Sequence, residues 1–244
     1  MHESRRFFRE NKDKVKKVIE MLGDEQSKDC YKRMIKFRCT YNHKILPVNS
    51  YRSQYFDNPY FTYNHGEVFI DCGAFDRDTI QKFKKKIAKQ GKVYKRIIAV
   101  ESDKRNRLNL VRIHPDVMLV ADGAWDQNTY LNFSAGNGED CRIQSSESNE
   151  QSVEIIQAYA LDEISECTEA TFVKMDIEGA EQHALMGLQK TIRSNQPKMA
   201  ISIYHSDADM VEIPLMIKRI NPSYRFYVMQ HTNTAYETVL YVTE

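Results

Sequence analysis

Four acids stand where an apolar run gives way to a turn. Asp71 precedes Cys72-Gly73, Glu101 follows Val100, Asp122 lies just past the run ending at Val120, and Asp176 precedes Ile177-Glu178-Gly179. Like charges raise one another's pKa, so acids collected at one edge are costly unless they bind something. Glu101 is placed to accept hydrogen bonds from a ribose diol, the work of an acid at the end of a second strand in nucleotide-binding folds. Gly73 lets the backbone pass close to a ligand. The turn around it reads Asp71-Cys72-Gly73-Ala74-Phe75-Asp76-Arg77, without the set of glycines that a dinucleotide pyrophosphate requires. A nicotinamide cofactor is therefore disfavoured. A nucleoside-bearing ligand without a pyrophosphate remains, and S-adenosylmethionine is the obvious candidate.

The elements that must position these acids alternate. Val68–Asp71 is a short buried strand, followed by a helix over Arg77–Lys89, in which Ile80, Phe83 and Ile87 recur at helical spacing and Lys84-Lys85-Lys86 point outward. A strand over Arg96–Glu101, a helix over Asp103–Ile113 capped by Ser102 or Asp103, and a strand over Val117–Val120 come next. Residues 129–158 alternate and turn around Gly136-Asn137-Gly138, a hairpin-like excursion. Then come a strand over Thr171–Asp176, a helix running through Gly187 toward Ile192, a strand over Met199–Tyr204, a helix over Asp209–Ile220, and closing strands over Arg225–Met229 and Thr238–Val242. Such alternation predicts an α/β fold with a mostly parallel sheet, and the helix-free link between the last two strands predicts an antiparallel strand at the edge.

Residues 1–65 differ from the rest. Val15, Val18, Ile19 and Leu22 make a helical stripe that Gly23 stops, and a second helix is expected over Lys28–Arg38. From Tyr41 to His65 the chain is rich in Tyr, Asn and Pro; its aromatics (Tyr51, Tyr55, Phe56, Tyr60, Phe61, Tyr63) either pack on a neighbouring surface or form a flap over the cofactor. The expected organisation is a helical appendage with an aromatic flap over 1–65 and one catalytic domain over 66–244.

With these residues in view the chain resembles the FkbM-type methyltransferases that use S-adenosylmethionine. Val68-Phe69-Ile70-Asp71-Cys72-Gly73-Ala74-Phe75-Asp76 and Ala99-Val100-Glu101 look like the family's opening. Lys174-Met175-Asp176-Ile177-Glu178-Gly179-Ala180-Glu181 is the most specific block; Pro197–His205, Ile213-Pro214 and Glu237–Tyr241 extend the likeness, and Gln54-Tyr55-Phe56 matches ahead of the first strand. The resemblance implies a Rossmann-like methyltransferase fold with a seven-stranded sheet, and methyl transfer to an oxygen of a sugar or natural-product-like small molecule. It places Asp71, Gly73, Glu101 and Asp122, with their neighbours Ala74, Ser102 and Gly123 and with Asp176, at cofactor-contacting positions. Arg77 stands where the family usually has glycine; were positive φ needed there, it would cost about 1 kcal/mol or more.

A sugar hydroxyl is a poor nucleophile and needs a general base or a metal. His205, at the end of the fifth main strand, suits the base by type and position, and a structural histidine is the alternative. Asp176 could serve as base or anchor the substrate, and Glu178 completes the catalytic candidates. Glu178 and Glu181 lie three apart at a helix start, where at least one is expected to cap. A divalent ion on Asp176 and nearby oxygens is compatible with this chemistry, although no dedicated cage is written in the sequence. His183 and His231 read as structural.

Composition narrows the partners. With 35 Lys+Arg against 34 Asp+Glu, the net charge of +1 disfavours a wholly basic nucleic-acid binder. The charge is segregated: residues 1–44 carry 13 basic and 7 acidic groups, 82–107 carry 11 and 2, and 122–181 carry 2 and 14. A solvated helix face explains the basic runs most simply. Five scattered cysteines without a CxxC pair suggest reduced thiols and a cytoplasmic location. No apolar run reaches the roughly 18 residues of a membrane span, and the first residues lack an apolar signal core. Two rival readings stay open. One is an RNA methyltransferase using the basic N-terminal region, although no NPPY-like tetrapeptide follows the fourth strand. The other is a binding module in which Arg77 has abolished cofactor use.

Overall fold

The computed structural model describes residues 2–47, 49, 51–75, 78–134, 142–144 and 153–244. Three helices open the chain: α1 (His2–Glu10), α2 (Lys12–Met21) and α3 (Glu25–Thr40). Strand and helix then alternate through β1 (Glu67–Cys72), α4 (Asp78–Lys89), β2 (Tyr94–Glu101), α5 (Lys104–Ile113), β3 (Met118–Ala121), β4 (Gly123–Ala124), β5 (Thr129–Ser134), β6 (Arg142–Gln144) and β7 (Val153–Tyr159). The chain ends with β8 (Phe172–Met175), α6 (Glu181–Met186), α7 (Gln189–Asn195), β9 (Lys198–Ser202), α8 (Asp207–Ile220), β10 (Arg225–Gln230) and β11 (Thr238–Thr243). Seven strands form one sheet in the order β10-β11-β9-β8-β1-β2-β3. β1 runs parallel to β2 and β8, and β2 parallel to β3. β11 is inserted between β9 and β10, antiparallel to both, as the helix-free link predicts. This is the α/β, Rossmann-like, mostly parallel architecture expected from the alternation.

The chain divides into two compact units, Thr62–Pro197 and the pair of segments Met1–Phe61 and Lys198–Glu244. In the unit Thr62–Pro197, β1 is buried at every position, because a parallel strand covered on both faces needs no polar alternation. Phe69 stacks on Phe172 with ring centres 4.9 Å apart and meets Phe83 of α4 at 4.5 Å. Thus the Ile80, Phe83 and Ile87 stripe is the buried face of α4. The excursion after β3 builds a second sheet, β4-β7-β5-β6, in which β5 pairs antiparallel with β6 and β7. Gly136-Asn137-Gly138 lies outside the described residues, as do Asp76 and Arg77. The single helix expected through Gly187 is two, α6 and α7. A Cβ at Gly187 would sit 1.9 Å from the Trp125 carbonyl oxygen, so the helix end presses on backbone where only glycine fits.

In the other unit, Pro214 sits inside α8. Proline cannot donate to the carbonyl four residues back, and the Tyr31 hydroxyl of α3 donates to that Met210 carbonyl instead, at 3.0 Å. The aromatic stretch is packed except for exposed Tyr51: Tyr60 stacks on Tyr227 at 3.9 Å and its hydroxyl bonds Asp24 at 3.2 Å, while Phe61 meets Tyr241 edge-on at 5.5 Å. Gly23 does more than stop a helix, since a Cβ there would lie 2.6 Å from the Tyr227 ring. Among the described residues no helix is long and apolar enough to cross a membrane.

Candidate functional site

The ends of β1, β2 and β8 are knitted together by backbone. The Gly73 N–H donates to the Val100 carbonyl at 2.9 Å, and the Asp176 N–H donates to the Cys72 carbonyl at 3.1 Å. Gly73 has φ +78°, and a Cβ there would meet the Asp176 carbonyl oxygen at 1.9 Å. Both conformation and space therefore demand glycine. Ala74, next along, is fully buried.

Glu101 ends β2 and is 7% exposed. Its Oε2 accepts the Phe75 N–H and its Oε1 the Asp103 N–H, each at 2.8 Å. Burial pushes its pKa up, and the two N–H donors offset only part of that rise. Each oxygen keeps acceptor capacity beyond the bond it makes, which suits a diol. Asp103, not Ser102, caps α5, accepting from the Arg105 and Asn106 N–H groups at 2.8 and 2.9 Å. Half-buried Ser102 lies between the two acids. Asp122 holds φ +89°, a conformation costing about 1–2 kcal/mol for a side-chain-bearing residue, and its Oδ1 takes a 2.6 Å bond from Arg107 of α5. Gly123 follows, buried at the start of β4.

Asp71 is removed from water entirely. In the parallel register it sits opposite Lys174 of β8, so the two side chains share one face of the sheet. The Lys174 ammonium lies 3.2 Å from Asp71 Oδ1 and donates to the Gly73 carbonyl at 2.8 Å and the Cys72 carbonyl at 3.3 Å. Burial drives the Asp71 pKa up, and Lys174 opposes that rise. Burial alone would lower the Lys174 pKa, but Asp71 and Asp176 more than offset it, so the amine stays charged.

Beyond β8, Asp176 and Glu178 are half-buried, and Glu178 adopts φ +56° just before Gly179 at +96°. Glu181 does not cap α6: fully buried, it accepts the Ile177 N–H of the preceding loop at 2.8 Å. His183 is exposed, stacks on Trp125 at 3.7 Å and meets Asp126 at 2.7 Å. In the other unit, His205 follows β9 half-buried, its ring 4.1 Å from that of Tyr204. Arg38 of α3 brackets it, donating to the Tyr204 carbonyl and, at 3.0 Å, to Asp207. His231 is buried, with Nε2 2.8 Å from the Tyr241 hydroxyl.

Sequence reasoning passed over Lys174, Arg107 and Arg38. For Lys174 a signal existed: a lysine inside the apolar run Thr171–Met175 must find an acid to be buried at all. For Arg107 and Arg38 none did: both are ordinary basic residues on a helix, and Arg38's partners lie more than 160 residues away.

A family model for the methyltransferase FkbM domain matches residues 71–226. The chain belongs to the FkbM methyltransferase family. The match begins at Asp71 and spans every strand end described above. Among solved structures, the FkbM methyltransferase from Methylobacillus flagellatus KT superposes with a TM-score of 0.79 at 24% identity, covering 96% of this chain and 59% of that one. This chain thus spans little more than half the length of that FkbM structure. An rRNA methylase from Streptococcus thermophilus (11% identity, 74% of this chain, 87% of that one) and Aeropyrum pernix fibrillarin in complex with S-adenosyl-L-methionine (12%, 74%, 67%) are more distant, each with a TM-score of 0.44. No curated protein sequence matches the chain.

Proposed function

We propose that this FkbM-family chain transfers a methyl group from S-adenosylmethionine to a hydroxyl of a sugar or natural-product-like small molecule. The observation that carries the cofactor assignment is Glu101. A buried carboxylate at the end of β2, held by two backbone N–H groups and keeping acceptor capacity, fits a ribose diol. Gly73, Ala74, Ser102, Asp122, Gly123 and Asp176 would line the remainder. Bound S-adenosylmethionine supplies an electrophilic methyl group on a cationic sulfonium, beside which carboxylates are favourable neighbours.

The protein's own work is then to position the acceptor oxygen and take up its proton. Alignment of the acceptor supplies much of the rate in an in-line displacement. His205 is assigned as the base, with Asp176 and Glu178 orienting the hydroxyl. The test is a methyl-transfer assay over a panel of saccharide and natural-product alcohols, run together with calorimetry on S-adenosylhomocysteine. His205→Ala should cut turnover by about 10²–10⁴-fold and leave cofactor affinity unchanged. Normal turnover in that variant removes His205 from the mechanism. Methylation of RNA in preference to every alcohol, with affinity falling steeply with salt, would replace the acceptor assignment.

A further inference from the structure

We infer that Lys174 is a positioning residue for the cofactor loop after β1, and that Asp71 acts through Lys174 and not by touching the cofactor. The inference rests on the S-adenosylmethionine reading above. An ammonium has three protons to give; Lys174 donates to the carbonyls of Cys72 and Gly73 and forms an ion pair with Asp71 Oδ1. At 3% exposure it is closed to solvent, and Asp71 at 0% is more so. These carbonyls belong to the turn between β1 and the Phe75 N–H that Glu101 holds. No peptide bond among the described residues is cis, and in a planar trans peptide the C=O and N–H point to opposite sides. Fixing the Gly73 carbonyl on Lys174 therefore turns the Ala74 N–H away from the lysine. Gly73 N–H is tied to Val100, so the peptides on either side of Gly73 are held by Val100 and by the lysine.

Asp71 supplies the counter-charge that lets a lysine remain ionised at this depth. Asp71 is the residue directly opposite Lys174 across β1 and β8, and Asp176 adds a second negative charge near it.

Lys174→Met alone would strand the buried Asp71 carboxylate, so the informative variants are Asp71→Leu/Lys174→Met, which removes both charges, and Asp71→Asn, which keeps the lysine and its two carbonyl acceptors, each checked first for folding by thermal unfolding. In the double variant, S-adenosylhomocysteine measured by calorimetry should bind at least about 10-fold more weakly, the scale on which supporting residues act. Amide exchange at Gly73, Ala74 and Phe75 should accelerate with no ligand present. Asp71→Asn, in which Lys174 still holds both carbonyls, should bind S-adenosylhomocysteine within a few-fold of wild type. Wild-type affinity and exchange in the double variant would overturn the inference. So would an Asp71→Asn loss of affinity as large as that of the double variant with amide exchange at Gly73, Ala74 and Phe75 unchanged, since Asp71 would then be acting on the cofactor directly. Failure of the wild-type protein to bind S-adenosylhomocysteine would instead sink the cofactor reading, and the exchange measurement would still decide the role of Lys174 in the loop.

Discussion

Asp71 and Glu101 lie near the ends of adjacent parallel strands and are both buried, yet they are satisfied in opposite ways. Asp71 faces a buried ammonium, and its whole charge is spent inside the protein. Glu101 faces two backbone N–H groups, which align it without neutralising it. The first arrangement binds strand to strand. The second leaves a charged acceptor at a strand end, where open α/β sheets bind ligands. Two acids that look alike in sequence thus divide the labour between holding the loop and meeting the ligand, and the partner across the sheet decides which does which.

The sharpest way to break that division is Lys174→Met. Removing one member of a buried pair strands the other, at a cost of about 3–5 kcal/mol, and thermal or denaturant unfolding should show it. Asp71→Leu added to Lys174→Met should recover most of the loss, because replacing a buried pair by apolar groups is often neutral. A single variant as stable as wild type would mean that Asp71 is not truly confined.

Glu101→Ala should act elsewhere. Hydrogen bonds to a charged group contribute about 1.5–3 kcal/mol, so S-adenosylhomocysteine affinity should fall about 10–100-fold in calorimetry. Unchanged affinity would remove Glu101 from the ribose and leave the two acids alike.

How far could this contrast be read from the chain alone? The strand ends could: an apolar run broken by an acid and a turn marks each of them, and the 3.6-residue and buried-strand patterns set the parallel order. The pairing of Asp71 with Lys174 could not, since it depends on β1 and β8 lying in register across about a hundred residues of chain. The break between α6 and α7 was hidden for the same reason, as Gly187 is required by the backbone of Trp125. The helix over Asp209–Ile220 is read correctly through Pro214, but that Tyr31 supplies the Met210 carbonyl with the donor proline lacks is seen only in the structure. Local period is written locally, whereas the reasons for single residues come from other segments.

A smaller effect follows from pH. Burial raises the Glu101 pKa above the usual carboxylate range, so on acidification this group takes up its proton before an ordinary glutamate at about 4.3. Protonation removes an acceptor from the diol site, so cofactor affinity should begin to weaken above that pH. The stability sign is the reverse. A carboxylate whose folded pKa is raised binds its proton more tightly in the folded state, so its ionisation disfavours folding as pH rises through that pKa. Calorimetry at stepped pH on wild type and Glu101→Gln checks this: the acid-side loss should be present in the first and absent in the second. An equal loss in both would assign it to another acid.

The smallest expected effect tests what burial itself contributes. Lys84 and Asp116 form an ion pair at 2.7 Å, shorter than the 3.2 Å between Lys174 and Asp71, but their side chains are 23% and 49% exposed. Water already solvates both partners, so little is lost when one is removed, and salt screens what remains. Lys84→Met should therefore cost under about 1 kcal/mol in denaturant unfolding, less still at high salt, while Lys174→Met costs several times more despite the longer distance. Asp116 also accepts from the Tyr94 hydroxyl at 2.8 Å, so the carboxylate keeps a partner when the lysine is gone. Asp71 would keep none of comparable charge. If the two lysine variants lost equal stability, confinement would not be what sets Asp71 apart, and the contrast between the two strand-end acids would have to rest on Glu101 alone.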